Sequence, residues 1–179
     1  MDLRFFPYDF DYKLKDGKVY VYLYGKLEDN SKICVIHEHR PFFYADIKEL
    51  DASVLAGRLS SLFIDAKPEA ARVTSWEIEE KELLGIKRKF WKIYTNYPKA
   101  VPLIAKELQL WGIECYEKDI LFIHRYLRDL GLTPMTLLEA SGEVSADVQL
   151  RVPVFKAQTI RQYSQEAMPH PKILDCIDV

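Results

Sequence analysis

The chain has 179 residues, of which 49% are apolar, 29% charged and 13% aromatic. This composition is typical of a folded globular protein with one or two domains, and it excludes a disordered or fibrous chain. The formal net charge of −2 excludes a uniformly basic nucleic-acid binder but is compatible with a local basic groove. Charges interrupt every apolar run and no secretory signal is visible, so we expect a cytoplasmic protein that contacts no membrane.

The first part of the chain has the pattern of a β meander. Lys18–Tyr24 alternates apolar side chains with tyrosines, and the turn pair Asp16-Gly17 comes just before it. This combination predicts a hairpin, which two further strands follow. The predicted strands are Tyr8–Leu14, Lys18–Tyr24, Lys32–Glu38 and Pro41–Ile47.

In the next part the apolar spacing changes twice from a period of two to a helical period. The predicted elements are a helix over Asp51–Phe63 with Asp51 as N-cap, strands over Ala71–Leu83 and Ile86–Thr95, a helix over Pro98–Trp111 and a strand over Ile113–Tyr116. Counted from Pro41, the order is strand, helix, strand, strand, helix, strand. This order is typical of a ferredoxin-like βαββαβ unit.

The last part of the chain is predicted to leave this unit through a third helix. The predicted elements are a helix over Asp119–Leu130, a connector over Thr133–Asp147, a strand over Asp147–Phe155, an extended arm over Lys156–Pro171 and a strand over Lys172–Val179. The predicted fold class is therefore α+β: a β meander leading into a ferredoxin-like βαββαβ unit, plus a helix and a C-terminal β arm.

No complete active site is visible in the sequence. His37 and His39 would lie on one face of a strand, but a metal site needs more ligands, so a solvated strand edge is the favoured interpretation. The three cysteines form no CxxC pair and the glycines are scattered singly, which gives neither a zinc knuckle nor a phosphate loop.

One basic run stands beside aromatic residues. Lys87-Arg88-Lys89 comes directly before Phe90 and Trp91 on a predicted strand. These residues are interpreted either as a phosphate-contacting patch beside stacking rings or as a solvated strand end with core aromatics. The pattern alone favours a solvated strand end with core aromatics.

Several motifs follow one another in a fixed order along the chain. They are Asp11-Tyr12, Arg40–Ala45, Trp91–Tyr94, Tyr97–Pro102, Tyr116–Phe122, Arg125–Leu127, Gly131–Met135 and Ile173–Val179. In this order they resemble the N-terminal domain of archaeal family-B DNA polymerases, and Ile173–Val179 resembles the start of that family's first exonuclease motif.

The resemblance implies a piece of a longer protein. Residues 1–134 would be the N-terminal template- and uracil-recognition domain, and residues 135–179 the connector and first strands leading into the 3'-5' exonuclease domain. The longer protein would be a DNA-directed DNA polymerase with proofreading that uses Mg²⁺, with Asp178 as one metal ligand of the exonuclease. The 179 residues alone would hold no cofactor and have neither activity. The implied partners are single-stranded template DNA, the exonuclease and polymerase domains of the same chain, and a sliding clamp.

In this family the N-terminal domain carries a pocket that captures uracil in the template and stalls copying. The corresponding positions here are Tyr12, Pro41, Phe42, Val101, Ile120, Leu121, Phe122 and Arg125. The resemblance implies apolar packing by Val101 and Phe122, backbone contacts to the base edge around Ile120, and a bracing role for Arg125. Such a pocket can exclude thymine because of its methyl group.

Two alternatives remain open. The family typically has Tyr, Arg and Pro at the positions of Phe42, Ala105 and Leu121, so the domain could instead brace the exonuclease and polymerase modules with a degenerate pocket. A ferredoxin-like sheet could also serve as an RNA- or single-strand-binding module, although the RNP1 motif is absent. Exposure of the hairpin tyrosines would favour nucleic-acid binding, and their burial under a neighbouring domain would favour the brace. These tyrosines are Tyr20, Tyr22 and Tyr24.

Overall fold

A computed structural model describes residues 1–46, 52–83, 85–146 and 150–163. In this part the protein is a mixed α+β structure with two sheets, as predicted. The strands are β1 Asp2–Lys15, β2 Lys18–Leu27, β3 Lys32–Glu38, β4 Phe42–Asp46, β5 Phe63–Ile64, β6 Ala71–Leu83, β7 Ile86–Thr95, β8 Glu114–Tyr116, β9 Leu138–Val144 and β10 Val154–Gln162; the helices are α1 Ala52–Ser61, α2 Ala100–Leu110 and α3 Phe122–Asp129. None of these helices is long and apolar enough to cross a membrane.

Residues 1–13, 20–39 and the described residues from 123 onward form one compact unit, called here the barrel unit. Its strands close in the order β1-β2-β3-β10-β9. Most pairings are antiparallel, but β10 runs parallel to β3. The fully buried side chains of this unit include Phe5, Leu23, Val35, Leu138 and Phe155. Closure pairs the edges that an open meander would expose to other chains.

The described residues within 14–19 and 40–122 form the second compact unit, called here the sheet unit. Its strands follow the order β5-β6-β7-β4-β8, and the recorded pairings are antiparallel. Helix α1 contacts β6, and α2 contacts β4, β6 and β8. Without the short β5 this is a βαββαβ unit with β4 and β7 at its centre, so the predicted ferredoxin-like arrangement is confirmed.

The sequence prediction is wrong for the segment after α3. Strand β9 lies inside the predicted connector Thr133–Asp147, and β10 begins near the end of the predicted strand Asp147–Phe155 and runs into the predicted arm. The Ser141-Gly142 pair has the composition of a loop, but Gly142 pairs with Ala157 in the barrel, next to a register shift in β10. A glycine can thus indicate close strand approach instead of a turn.

Some predictions fall on residues that the structure does not describe. The N-cap Asp51 and the strand over Lys172–Val179 lie outside the described residues, and so does Asp178. The domain boundary at residue 134 concerns a longer protein and stays a prediction. Within the described residues, β9 and β10 complete the barrel that β1, β2 and β3 begin.

Two barrel glycines allow the strands to approach closely. A Cβ at Gly25 would lie 2.5 Å from the carbonyl oxygen of Phe6, and one at Gly142 would lie 2.9 Å from the Cα of Ala157. The Cβ at Gly142 would be closer still to the carbonyl oxygen of Lys156. These neighbours are backbone atoms, which cannot move aside without disturbing the pairing.

Candidate nucleic-acid interface

One face of the sheet unit carries a row of aromatic side chains. Cys115 on β8 approaches the carbonyl oxygen of Ala105 on α2, with its Sγ at 3.6 Å, so this residue and its partner Ala45 face the helices. Because successive strand residues alternate between faces, the neighbouring aromatic residues lie on the opposite face. This aromatic face consists of Phe42, Tyr44, Phe90, Tyr94 and Tyr116.

The register of the strands brings these rings together. Phe42 is paired with Tyr94, and Tyr44 is paired with Tyr116. The Phe42 and Tyr44 ring centroids are 5.6 Å apart at 85°, and those of Phe90 and Tyr116 are 5.6 Å apart at 81°. Edge-to-face pairs of this kind each contribute about 0.5–1.5 kcal/mol beyond area burial. The rings of the aromatic face therefore hold one another in fixed orientations.

Cationic side chains lie over these rings. The Arg40 guanidinium carbon is 3.9 Å from the Tyr94 ring centroid. The ammonium groups of Lys92 and Lys81 are 4.5 Å and 3.7 Å from the centroids of Phe42 and Tyr44. Sequence reasoning missed these three cations. Alternation within β7 does place Lys92 beside Phe90 and Tyr94, but only the register shows which rings the cations cover.

Two carboxylates hold Lys92 in place. Lys92 Nζ lies 3.2 Å from Glu79 and 3.7 Å from Glu77, and the Tyr94 hydroxyl donates to Glu77 at 2.5 Å. This hydrogen bond lowers the pKa of Glu77, and burial raises the pKa of Tyr94. Burial alone would lower the pKa of Lys92, but hydrogen bonds with Tyr94 and Glu79 raise it overall. Lys92 and Glu77 are therefore both charged at neutral pH, whereas the Tyr94 phenol is neutral.

The basic run at the start of β7 divides between the two faces. Arg88 lies on the aromatic face, where its guanidinium is 3.7 Å from Asp46, whereas Lys87 and Lys89 alternate to the opposite face. Phe90 belongs to the aromatic face, and Trp91 stacks on Trp76 on the helix-covered side, with ring centroids 6.0 Å apart at 9°. Only part of the predicted patch thus lies beside the aromatic face.

The hairpin tyrosines pack inside the barrel unit. Tyr22 is 4% exposed and belongs to a cluster with Cys34, Ile36 and Val154. Tyr20 and Tyr24 are half-buried against the same cluster. Tyr22 is thus packed in the core of its own unit, to the same extent as Tyr44 on the aromatic face.

The residues of the predicted uracil pocket are distributed over both units. The sheet unit contains Pro41, Phe42, Val101, Ile120, Leu121 and Phe122, and the barrel unit contains Tyr12 and Arg125. Within the sheet unit, Phe42 and Val101 are both 7% exposed, but Phe42 belongs to the aromatic face, whereas Val101 lies on α2, which packs against the other face. Leu121, in contrast, is 69% exposed, so its side chain faces solvent.

Ala105 lies in the buried core of the sheet unit. It lies one helical turn after Val101, where the resembling family typically has Arg, and it is fully buried. An arginine side chain at this point of α2 would bury a charge, which costs several kcal/mol unless it is paired. The small residue is therefore matched to the packing around it.

Arg125 belongs to a polar cluster between α3 and β3. Its Nη1 is 3.9 Å from Asp129, which also lies 3.4 Å from His39 Nε2. The buried Tyr126 hydroxyl is 3.1 Å from Nδ1 of His37, and its ring packs edge-on against His39. The two histidines therefore line a half-buried polar cluster, and the prediction of a solvated edge is wrong.

This cluster predicts a pH-dependent stability. Burial lowers the pKa of His37 below its ordinary value of 6.5. Below that value the unfolded chain binds a proton that the folded chain does not bind, so the free energy of unfolding falls as the pH drops through about 6.5. Replacing His37 with Gln should remove this part of the fall, measured by urea unfolding at about pH 7.5 and pH 5.5. The exposed-site control His124→Gln should keep it, and an equal fall in the His37 variant would contradict the assignment.

The described residues contain no group of three or more metal-ligating side chains. Cys34 and Cys115 are reduced and at least half-buried, and burial raises the pKa of each thiol to about 12. Thiols with such pKa values are poor nucleophiles and poor metal ligands at neutral pH.

Comparison with known proteins identifies a set of relatives, although no protein-family model matches the chain. The chain is 29% identical over 143 residues to "DNA polymerase 1" of Pyrococcus abyssi, covering 79% of this chain and 18% of that protein. It is 29% identical over 170 residues to a DNA polymerase of Thermococcus kodakarensis, covering 93% of this chain and 9% of that protein. The chain thus spans less than a fifth of either relative.

A solved structure supports the fold. The family B DNA polymerase of the hyperthermophilic archaeon Pyrobaculum calidifontis superposes with a TM-score of 0.77 at 24% identity, over 94% of this chain and 21% of that one. At this identity the match establishes the fold alone. The sequence matches therefore give DNA polymerases of Pyrococcus and Thermococcus as relatives of this chain, and the superposed structure supports its fold.

Proposed function

We propose that this chain is the N-terminal part of an archaeal family-B DNA polymerase and that it binds the single-stranded template. The relatives are named as DNA polymerases, and the chain corresponds to a small part of each. The observation that carries the binding proposal is the aromatic face with its row of cations. Stacking rings and basic groups on one surface are the two elements that single-strand binders combine.

The aromatic face would bind a strand by exchange of contacts. The rings of Phe42, Tyr44 and Tyr94 are 4–8% exposed, with Arg40, Lys81 and Lys92 above them. A base that stacks on a ring takes the place of a cation, and the freed cation then reaches a phosphate. Each stacked base contributes about 1–3 kcal/mol, and each phosphate contact makes the affinity more dependent on salt.

The rest of the function belongs to the longer protein. We extend the proposal to a DNA-directed DNA polymerase with 3'-5' exonuclease activity, located in the cytoplasm, that uses Mg²⁺ and a sliding clamp. Asp178 would supply one exonuclease metal ligand, and the domain boundary would fall near residue 134. The 179 residues alone would neither extend nor degrade DNA.

A uracil pocket is the finer form of this proposal. Val101 and Phe42 supply buried apolar packing of the kind that a pocket for a small base needs. A brace without uracil discrimination is the second candidate, because Ala105 is fully buried where the resembling family places Arg. The two candidates differ in whether uracil is preferred over thymine.

Fluorescence anisotropy with labelled single strands tests both the binding of template DNA and the preference for uracil. We expect the chain to bind a strand with one central uracil, with affinity falling as salt rises from about 50 to 200 mM. Replacing the exposed Arg40 with Gln should weaken binding about threefold to tenfold, whereas Lys106→Gln, on the exposed side of α2, should change it little. Absence of binding at low salt would reject template binding and favour the brace.

A second strand, with thymine in place of the central uracil, tests the uracil pocket. We expect tighter binding to uracil, and Val101→Gln should abolish the difference because a polar side chain would then occupy the apolar packing position. Leu103→Gln, at a half-buried position on the same helix, is the matched control and should preserve it. Equal affinity for both strands would leave template binding in place and reject uracil sensing.

A further inference from the structure

The Lys92 ammonium group on the aromatic face is shared by two carboxylates. Its Nζ lies 3.2 Å from Glu79 and 3.7 Å from Glu77, while it covers the Phe42 ring. We infer that Glu77 and Glu79 are specificity-determining residues, which make the aromatic face select single-stranded over double-stranded DNA. The inference rests on the proposed binding of single-stranded DNA, and it gives a role to two acidic residues that the proposed function does not use.

The strand register places both carboxylates on the aromatic face. Glu77 is paired with Lys92, and Glu79 follows two residues later on the same side of β6. The Tyr94 hydroxyl donates to Glu77 at 2.5 Å, and the Tyr44 hydroxyl donates to Glu79 at 3.2 Å. The side chains of Glu77 and Glu79 are nevertheless 55% and 36% exposed. An approaching ligand therefore meets two fixed negative charges.

Two further cations of this face are paired in the same way. The Arg88 guanidinium is 3.7 Å from Asp46, and Lys81 Nζ is 3.6 Å from Glu117. A cation beside a carboxylate attracts a distant phosphate only weakly, because the two charges oppose each other. The aromatic face is therefore not a simple cationic surface.

Such pairs weaken any binding that depends on phosphates alone. A phosphate that reaches Lys92 must displace a carboxylate, and the displaced carboxylate stays on the face and repels the phosphate. The bases of duplex DNA are paired and stacked on one another, so the duplex gains little besides these backbone contacts. It also has the denser charge, which makes the repulsion stronger. Glu77 and Glu79 therefore disfavour double-stranded DNA.

A single strand gains a second kind of contact. Its unpaired bases can stack on the rings of the face once Lys92 and its carboxylates move aside. The exposed Arg40, whose guanidinium carbon is 3.9 Å from the Tyr94 ring centroid, can then contact a phosphate of the same strand. Both ligands meet the repulsion from the carboxylates, but only the single strand offsets it by stacking. Selectivity of this kind comes from a repulsive element that one ligand cannot offset.

The test compares one labelled oligodeoxynucleotide, alone and annealed to its complement, by fluorescence anisotropy at about pH 8 and about 50 mM salt. We expect about tenfold tighter binding of the single strand. The double variant Glu77→Gln/Glu79→Gln should reduce this ratio to about threefold or less, because the duplex gains more from the released Lys92. For the duplex, the slope of log affinity against log salt should also steepen by about one.

The matched control Glu80→Gln/Glu82→Gln removes the same charge from the same strand. Glu80 and Glu82 are exposed and are paired with Lys89 and Lys87, so they lie on the opposite face of β6. This variant should keep both the ratio and the slope. Thermal melting of each variant verifies that the folded state is retained.

The other outcomes separate the two proposals. Equal affinity of the parent chain for the single strand and the duplex would overturn this inference and leave the proposed template binding intact. No binding of either ligand would overturn both proposals. An unchanged ratio or an unchanged duplex slope in the Glu77→Gln/Glu79→Gln variant would overturn the assignment, and so would an equal change in the control.

Discussion

Replacing Gly142 with Ala is expected to lower the free energy of unfolding by about 3 kcal/mol, because the added methyl group has no space between two paired strands. The Cβ would overlap the carbonyl oxygen of Lys156 and lie 2.9 Å from the Cα of Ala157. The strand pair β9–β10 is part of the closed barrel, so a shift in one strand must be transmitted to its neighbours. Urea unfolding measures the effect.

The same substitution elsewhere supplies the control. Gly57 lies on the exposed side of α1 with no atom within 4 Å of its potential Cβ. There Gly→Ala should raise the free energy of unfolding by about 1 kcal/mol, because alanine is the better helix former. Opposite signs at the two positions would confirm that the close strand approach decides the effect. A stabilising Gly142→Ala would show that the strands lie farther apart than described.

Replacing Ala105 with Arg is the second large effect. Restoring the residue typical of the resembling family could be expected to repair a uracil pocket. Here we expect it to lower the free energy of unfolding by about 3 kcal/mol or more, since the position is fully buried and the charge would lose its water. Urea unfolding and the uracil-against-thymine anisotropy difference should be measured together.

The neighbouring residue gives the matched control for this substitution. Lys106→Arg changes an exposed position of the same helix and should alter stability by less than about 0.5 kcal/mol. If Ala105→Arg were as stable as the parent chain and increased the preference for uracil, the position would open into a pocket, and the brace would lose its main support.

Local patterns predicted the sheet unit well. The bounds of β6 and β7 agree with the sequence prediction because these strands have clear alternation and turn signals at their ends. The same alternation assigns Phe42 and Tyr44 to one face. It does not show that Lys81, Lys92 and Arg40 lie over the rings, because that depends on which strands are neighbours and on their register.

The barrel unit was harder to predict for a physical reason. Its closure pairs β10 with β3 and β9 with β1, which are far apart in sequence, and no local signal reports such partners. The Ser141-Gly142 pair interrupts the alternation of apolar residues and therefore predicts a loop, because the sequence alone does not show that two strands approach closely there. The His37–Tyr126 contact likewise joins a strand to a helix that is distant in sequence. His37 and His39, which the sequence predicted on a solvated edge, are therefore half-buried in the fold.

The separation of the barrel strands in sequence also has a consequence for the order of assembly. Most of the sheet unit is one continuous segment, residues 40–122, whereas the barrel needs strands from both sides of that segment. During synthesis from the N-terminus, β1, β2 and β3 emerge early but have no partners for their outer edges until β9 and β10 are made. By then all the strands of the sheet unit are available. Its shorter loops cost less entropy to close, so it should form first and shorten the effective distance between the two parts of the barrel.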